Sequence, residues 1–140
     1  MPLQSEDLKF GKENENASHN DLNDYLKTKL IKNENDFGVI DFYNKDKSIY
    51  VELKSRRIKH NDYNTAIVGT NKIKFLSGLK CESYIAYKYV DGLFIIKYDK
   101  DLFNTFEVEK KFKRSYRPDV GHTETMSITH IPYTKLTKIN

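Results

Sequence analysis

The sequence predicts an α/β fold in which a central mixed β-sheet is flanked by helices. Three patterns predict it: alternating apolar residues over 37–54, apolar residues at helical spacing over 14–31 and 65–79, and aromatic and aliphatic runs over 83–90 and 92–98. In chain order these patterns give a helix, a hairpin, a helix and a second hairpin. Elements in this order are expected to form a sandwich around one sheet.

The first helix is predicted over Asn14–Ile31, where apolar side chains recur at helical spacing and polar side chains stand between them. The apolar positions are Leu22, Tyr25, Leu26, Leu30 and Ile31. Before this helix, Met1–Gly11 has no firm pattern and is predicted to be an N-terminal arm of a single domain that spans residues 1–140.

The first hairpin is predicted to have strands over 37–43 and 48–54, because both are rich in residues that favour strands. The turn cluster Asn44–Lys47 lies between them, and a loop of about four residues suits a hairpin. The predicted register pairs Tyr43 with Ser48.

That register places Asp41, Glu52 and Lys54 on one face of the hairpin. Asp41 and Glu52 become diagonal neighbours, about 7–8 Å apart, so both carboxylates can ligate one Mg²⁺ ion at roughly 2.0–2.1 Å. Two carboxylates and an ammonium group on one face suit metal-assisted cleavage of a phosphodiester.

Asp41 followed by Glu52-x-Lys54 resembles the signature of the PD-(D/E)XK nucleases, the restriction-endonuclease-like superfamily. Ile40 stands where the strict motif has proline. The resemblance implies a core in the order helix, three strands, helix, strand (αβββαβ). It also implies that Asp41, Glu52 and the Leu53 backbone carbonyl bind the metal, and that Lys54 completes the catalytic set.

Many members of that superfamily carry a further metal-binding glutamate on the first helix, and Glu13 and Glu15 are the candidates here. Glu15 is favoured, because it lies seven residues, about two helical turns, before Leu22 and so falls on the face toward the sheet. The alternative is that both are solvated acids at a helix start, where carboxylates suit the macrodipole.

Lys54 is expected to orient the attacking water rather than to accept its proton. A lysine ordinarily titrates near about 10.4, and two neighbouring carboxylates should raise its pKa further unless a metal ion offsets them.

Phosphate-binding residues are predicted directly after the motif, where Arg56, Arg57 and Lys59 follow one another. Arginine grips phosphate oxygens bidentately. The alternative for such a run is a solvated basic loop. In many members of the superfamily, a polar or basic residue of the second helix faces the active site. Lys72 is the first candidate for this residue and Asn71 the second. The alternative is that Lys72 is a surface lysine.

Arg114 and Arg117 lie in a run where basic residues alternate with aromatic ones, as expected for a strand laid against nucleic acid. An exposed strand with lysines protecting its edge would look the same.

The second helix is predicted over Thr65–Leu79, and the Asp91-Gly92 pair marks the turn of the second hairpin. Thr123–Leu136 is predicted to be a closing strand and loop.

Composition places bounds on function. A formal charge of +4 and a pI near 9.0 mildly favour a polyanionic partner, here DNA. Cys81 is the only cysteine, which favours a reducing, intracellular compartment. The sequence lacks an early apolar run, so neither a secretion signal nor a membrane span is predicted. The histidines lack the spacing of a zinc site or a histidine-dependent nuclease. These histidines are His19, His60, His122 and His130.

The sequence therefore predicts a Mg²⁺-dependent DNA endonuclease, with Mn²⁺ as a substitute, that is structure-selective or weakly sequence-specific. The resemblance implies repair, recombination, junction-resolving or restriction enzymes, and a viral or phage source is among the expectations. A symmetric homodimer would cut both strands most simply. The alternatives are a nucleic-acid-binding protein of the same fold that does not cut, and a protein-interaction module in which Glu-x-Lys occurs by chance.

Overall fold

The computed structural model describes residues 17–33, 41–114 and 123–140, and describes side chains for all of these except 111–114 and 123–126. Helices and strands are mixed along the chain. In order they are helix α1 (17–26), strands β1 (Leu30–Lys32), β2 (Phe42–Asn44), β3 (Ile49–Ser55) and β4 (Thr65–Gly69), helix α2 (Thr70–Ser77), strands β5 (Glu82–Tyr89) and β6 (Gly92–Lys97), helix α3 (Lys100–Phe103), strands β7 (Glu107–Arg114) and β8 (Thr123–Pro132), a 3₁₀ turn (Tyr133–Lys135) and strand β9 (Thr137–Lys138).

Six strands form a mixed sheet in the order β1-β2-β3-β5-β6-β9. Strands β1, β2 and β3 are an antiparallel meander, β5 runs parallel to β3, and β6 and β9 are added antiparallel. Parallel neighbours need a crossover connection, and here it contains β4 and α2. The predicted α/β class with a multi-stranded mixed sheet is confirmed.

The central sheet is covered on both faces. On one face, Leu22 of α1 packs with Phe42 of β2 and Val51 of β3. On the other face, α2 and a three-stranded antiparallel sheet of order β4-β8-β7 pack against β5 and β6. Burial on both faces explains why five consecutive residues of β6, from Gly92 to Ile96, are buried.

The first helix ends earlier than predicted. Helix α1 stops at residue 26, Lys27 takes a left-handed conformation with φ of 53°, and Leu30–Lys32 form an edge strand. The Asn23 side-chain oxygen accepts the backbone N–H of Leu30 at 2.8 Å, which fixes the reversal between helix and strand. The prediction that Leu30 and Ile31 are helical is therefore wrong; its start at Asn14 lies outside the described residues.

The second helix also begins later than predicted. Only Thr70–Ser77 is helical, whereas Thr65–Gly69 is strand β4, paired antiparallel with β8. Ile67 and Val68 are β-branched, which favours a strand. Alternate residues point inward, since Ala66 and Val68 are buried and Ile67 is exposed. The pairing partner lies some sixty residues further along the chain, so local spacing gives no sign of it.

The first hairpin has a register two residues away from the predicted one. Tyr43 pairs with Tyr50, not with Ser48. The buried Asn44 side chain explains the difference, because its oxygen accepts the backbone N–H groups of Ser48 and Ile49 at 2.9 and 3.0 Å and so fixes the turn. A shift of two residues leaves every side chain on its predicted face.

The second hairpin forms as predicted, with β5 and β6 paired so that Tyr89 lies opposite Gly92. Its turn residues are Val90 and Asp91, one position earlier than the predicted pair. Gly92 has a φ of 152°, and a Cβ atom there would meet the Asn140 backbone oxygen at 2.7 Å, so glycine is required at this close approach of two chain segments.

Candidate active site

Strand β3 carries the row of predicted site residues. Glu52, Lys54 and Arg56 occupy alternate positions and therefore share one side of the chain. Glu52 pairs with Ile85, and Lys54 pairs with Tyr87. Both partners belong to the core beneath α2 and the three-stranded sheet, so the row lies on that covered face.

Asp41 reaches this strand from the residue before β2. Its Oδ2 atom accepts the backbone N–H of Leu53 at 2.8 Å. The observed register, continued by one residue, puts Asp41 directly opposite Glu52, closer than the predicted diagonal arrangement. The N–H and C=O groups of a strand residue point to the same edge of the strand. The Leu53 carbonyl therefore faces the Asp41 side.

Glu52 is held in an unusual environment for a carboxylate. It is 7% exposed, and its Oε1 atom lies 3.3 Å from Lys72 Nζ. Its Oε2 atom is buried and has no hydrogen-bond partner among the described residues. Burial, and then the charge of Asp41, raises the pKa of Glu52 from 4.5 to about 7, although Lys72 and Lys54 act in the opposite direction.

Lys54 differs from the prediction in the direction of its pKa. Burial lowers the pKa of this ammonium group and outweighs the attraction of Glu52, while Arg56 and Lys72 lower it further. The expectation of a raised pKa was wrong because it considered the neighbouring charges without the loss of solvent. A lowered pKa leaves a larger fraction of Lys54 neutral at a given pH than for an ordinary lysine, and only the neutral amine can accept a proton.

Lys72 lies in the first turn of α2, and its contact with Glu52 places it next to the β3 row. Its neighbour Asn71 is exposed. Arg56 continues the row of β3, and its backbone N–H donates to Lys88 O at 2.8 Å. Arg57 and Lys59 are exposed in the loop that follows.

Of the remaining predicted residues, only Arg114 lies within the described ranges. Arg114 is the last residue of β7, opposite Thr123, and belongs to the three-stranded sheet. Glu13, Glu15 and Arg117 lie outside the described residues.

Sequence reasoning overlooked Tyr63, which is strongly exposed in the loop after β3. One tyrosine among ten gives no pattern that could have identified it. It also overlooked Asp91 as the partner of His60, whose Nδ1 atom lies within hydrogen-bond distance of Asp91 Oδ2.

The donor set fits a hard divalent cation. Mg²⁺ prefers oxygen ligands and is commonly held by one or two carboxylates together with water. Asp41 and Glu52 supply two carboxylates. The Oε2 atom of Glu52, which has no hydrogen-bond partner among the described residues, is an acceptor that needs a cation or a proton. The described side chains contain no group of three or more His, Cys, Asp or Glu residues that could hold a metal ion. Within that range, the site is a two-carboxylate site.

In comparisons with known proteins, no family matches the chain, and no curated protein matches it. Within the described ranges, no helix has the length and apolar character needed to span a bilayer. Function is therefore inferred from the site itself.

Proposed function

We propose that the protein is a Mg²⁺-dependent DNA endonuclease of the PD-(D/E)XK type, in which Asp41, Glu52 and Lys54 carry out phosphodiester hydrolysis. The observation that supports this most is the buried Glu52 carboxylate beside Asp41, with one oxygen that has no hydrogen-bond partner in the described part of the chain. A buried acid in this state costs folding free energy unless a cation or a proton compensates it, and a bound metal ion is one such cation.

The order of elements also supports the proposal. Helix α1, the meander β1-β2-β3, helix α2 and the parallel strand β5 follow the order helix, three strands, helix, strand that the resemblance implies. Strand β4 is an addition between β3 and α2, and it joins the second sheet instead of interrupting the first.

A divalent cation bound at this position would polarise the scissile phosphate and lower the pKa of a water molecule, a role that Mn²⁺ could also fill. Asp41 and Glu52 are the side chains that would hold it. Lys54 lies two residues after Glu52 on the same face of β3, where it can orient the attacking water and take up its proton. Lys72 partly neutralises Glu52, and Arg56 attracts the phosphate.

A nucleic-acid-binding protein that does not cut is the second candidate. It is favoured by the Lys72 ammonium group, which lies 3.3 Å from Glu52 and can neutralise that acid without a metal ion. Arg56, Arg57 and Lys59 would then serve binding alone. Both candidates predict that affinity for DNA falls steeply as salt rises.

Cleavage of labelled linear, supercoiled, single-stranded and four-way-junction DNA tests the proposal. We expect cutting with Mg²⁺ or Mn²⁺, none in EDTA, and none by Glu52→Gln. Glu82→Gln is the matched control, since Glu82 is an exposed glutamate on the adjacent strand. Cutting by Glu52→Gln at the wild-type rate would refute the site, whereas salt-sensitive binding without cutting would support the second candidate.

The supercoiled substrate also tests the proposed homodimer. One metal site cuts one strand, so a monomer should first release nicked circles, whereas a symmetric dimer can produce linear DNA in one encounter.

A further inference from the structure

The loop that follows β3, residues 56–64, is anchored along its length. Four hydrogen bonds fix it: Arg56 N–H to Lys88 O at 2.8 Å, Val90 N–H to Ile58 O at 3.0 Å, His60 N–H to Asp91 Oδ1 at 3.0 Å and Tyr133 N–H to Asn64 O at 3.1 Å. The His60 ring also stacks on Phe94, with ring centroids 4.4 Å apart. A loop anchored in this way presents one surface, so a ligand would lose little free energy in ordering it.

The exposed side chains of this loop include two cations and an aromatic ring. Arg57 and Lys59 are exposed. Tyr63 is 66% exposed, the largest value among the strongly exposed large hydrophobic residues of the described chain. Proteins that bind single-stranded DNA use these two features together, with cations along the backbone and aromatic rings on which bases stack.

The position of the loop connects it to the candidate active site. Arg56 continues the row formed by Glu52 and Lys54, and alternate residues of a strand are about 7 Å apart. A DNA strand whose scissile phosphate lies on this row would therefore meet the loop with its neighbouring nucleotides.

We infer that loop 56–64 binds an unpaired stretch of the DNA substrate, with Tyr63 stacked on a base and Arg57 and Lys59 on the flanking phosphates. This inference rests on the proposed function and names its substrate class: DNA with a single-stranded segment beside the cleavage position, such as a flap or an overhang. In an uninterrupted duplex the faces of the bases are stacked on each other and are closed to Tyr63.

Binding measured in EDTA separates recognition from cleavage. A labelled oligo-dT strand and a duplex of the same length are titrated with wild type, Tyr63→Ala, Tyr63→Phe and Tyr25→Ala. Tyr25 is the matched control, because it is 46% exposed on α1, across the sheet from the row. We expect Tyr63→Ala to weaken oligo-dT binding by about tenfold to a hundredfold and to leave duplex binding unchanged. Tyr63→Phe keeps the stacking ring and should bind like wild type, as should Tyr25→Ala.

An unchanged oligo-dT affinity in Tyr63→Ala, an equal loss on both DNAs, or no oligo-dT binding by wild type would overturn the inference. Cleavage gives a separate result. A wild-type protein that binds oligo-dT through Tyr63 but never cuts would refute the nuclease and leave this inference standing. A Tyr63→Ala protein that binds and cuts a flap like wild type would refute the role of the loop and leave the proposed nuclease standing.

Discussion

Glu52→Gln should stabilise the metal-free protein at neutral and alkaline pH, although it should abolish cleavage. Burial and the charge of Asp41 raise the pKa of Glu52 from 4.5 to about 7. When the folded-state pKa lies above the unfolded value, the protonated side chain favours the fold. This contribution is complete below about pH 4.5 and is lost as the pH rises through about 7.

The magnitude follows from the same pKa values. Each pH unit between the folded and unfolded values corresponds to about 1.4 kcal/mol, so a rise from 4.5 to about 7 represents roughly 3 kcal/mol of folding free energy. Glutamine has the shape of protonated glutamic acid and does not ionise. Glu52→Gln should therefore be more stable than wild type by about 2–3 kcal/mol near pH 8 and nearly equal to it near pH 4.

Urea unfolding in EDTA, followed by circular dichroism across this pH range, measures the difference. Glu82→Gln is again the control, because its carboxylate is 52% exposed and pairs with Lys97 at the surface, so its removal should change stability by less than about 1 kcal/mol. A Glu52→Gln protein that is no more stable than wild type near pH 8 would refute the claim that Glu52 is a strained buried charge.

Three further predictions concern the same cluster. Saturating Mg²⁺ should raise the free energy of unfolding of wild type above pH 7, by about 2.7 kcal/mol at one hundred times the dissociation constant, and a thermal-shift titration should show this increment missing in Glu52→Gln. Lys72→Met removes a charge that lowers the pKa of Glu52, so the midpoint of the pH-dependent stability loss should move upward; an unchanged midpoint in the urea series would contradict the ion pair. Lys54→Ala and Asp41→Ala should each abolish Mg²⁺-dependent cutting while the circular dichroism spectrum stays that of wild type, and a purified variant that still cuts would remove its residue from the proposed mechanism.

The faces of the site residues could be predicted because a strand has a side-chain period of two. The hairpin register was wrong by two residues, yet Asp41, Glu52 and Lys54 stayed on one face, since only a shift by an odd number would have separated them. The Asn44 side chain that sets the true register makes its hydrogen bonds through the folded turn. Its role is not visible in hydrophobic alternation.

The second sheet could not be predicted from local patterns. Thr65–Gly69 fits a helical spacing as well as an alternating one over so short a length, and its identity as a strand depends on pairing with β8 far along the chain. Leu30 was misassigned for the same reason, because its strand exists only through pairing with β2. The lowered pKa of Lys54 escaped prediction with them, since it depends on burial beneath elements that the sequence did not reveal.

Helix α2 and the β4-β8-β7 sheet, which cover one face of the central sheet, influence the chemistry of the site as well as the fold. Tyr87, the pairing partner of Lys54, donates its hydroxyl hydrogen to Ile67 O at 3.0 Å, which ties β5 to β4 beside the site. Loss of solvent is the largest cause of both pKa shifts, upward for Glu52 and downward for Lys54. The same buried environment therefore brings the pKa values of the two groups closer together. A cover that served packing alone would be expected to place apolar side chains against Glu52, but α2 places Lys72 there instead. The inserted strand and its following helix therefore tune the proton affinity of the proposed catalytic residues, and changes in β4 should alter the pH dependence of cleavage before they alter DNA binding.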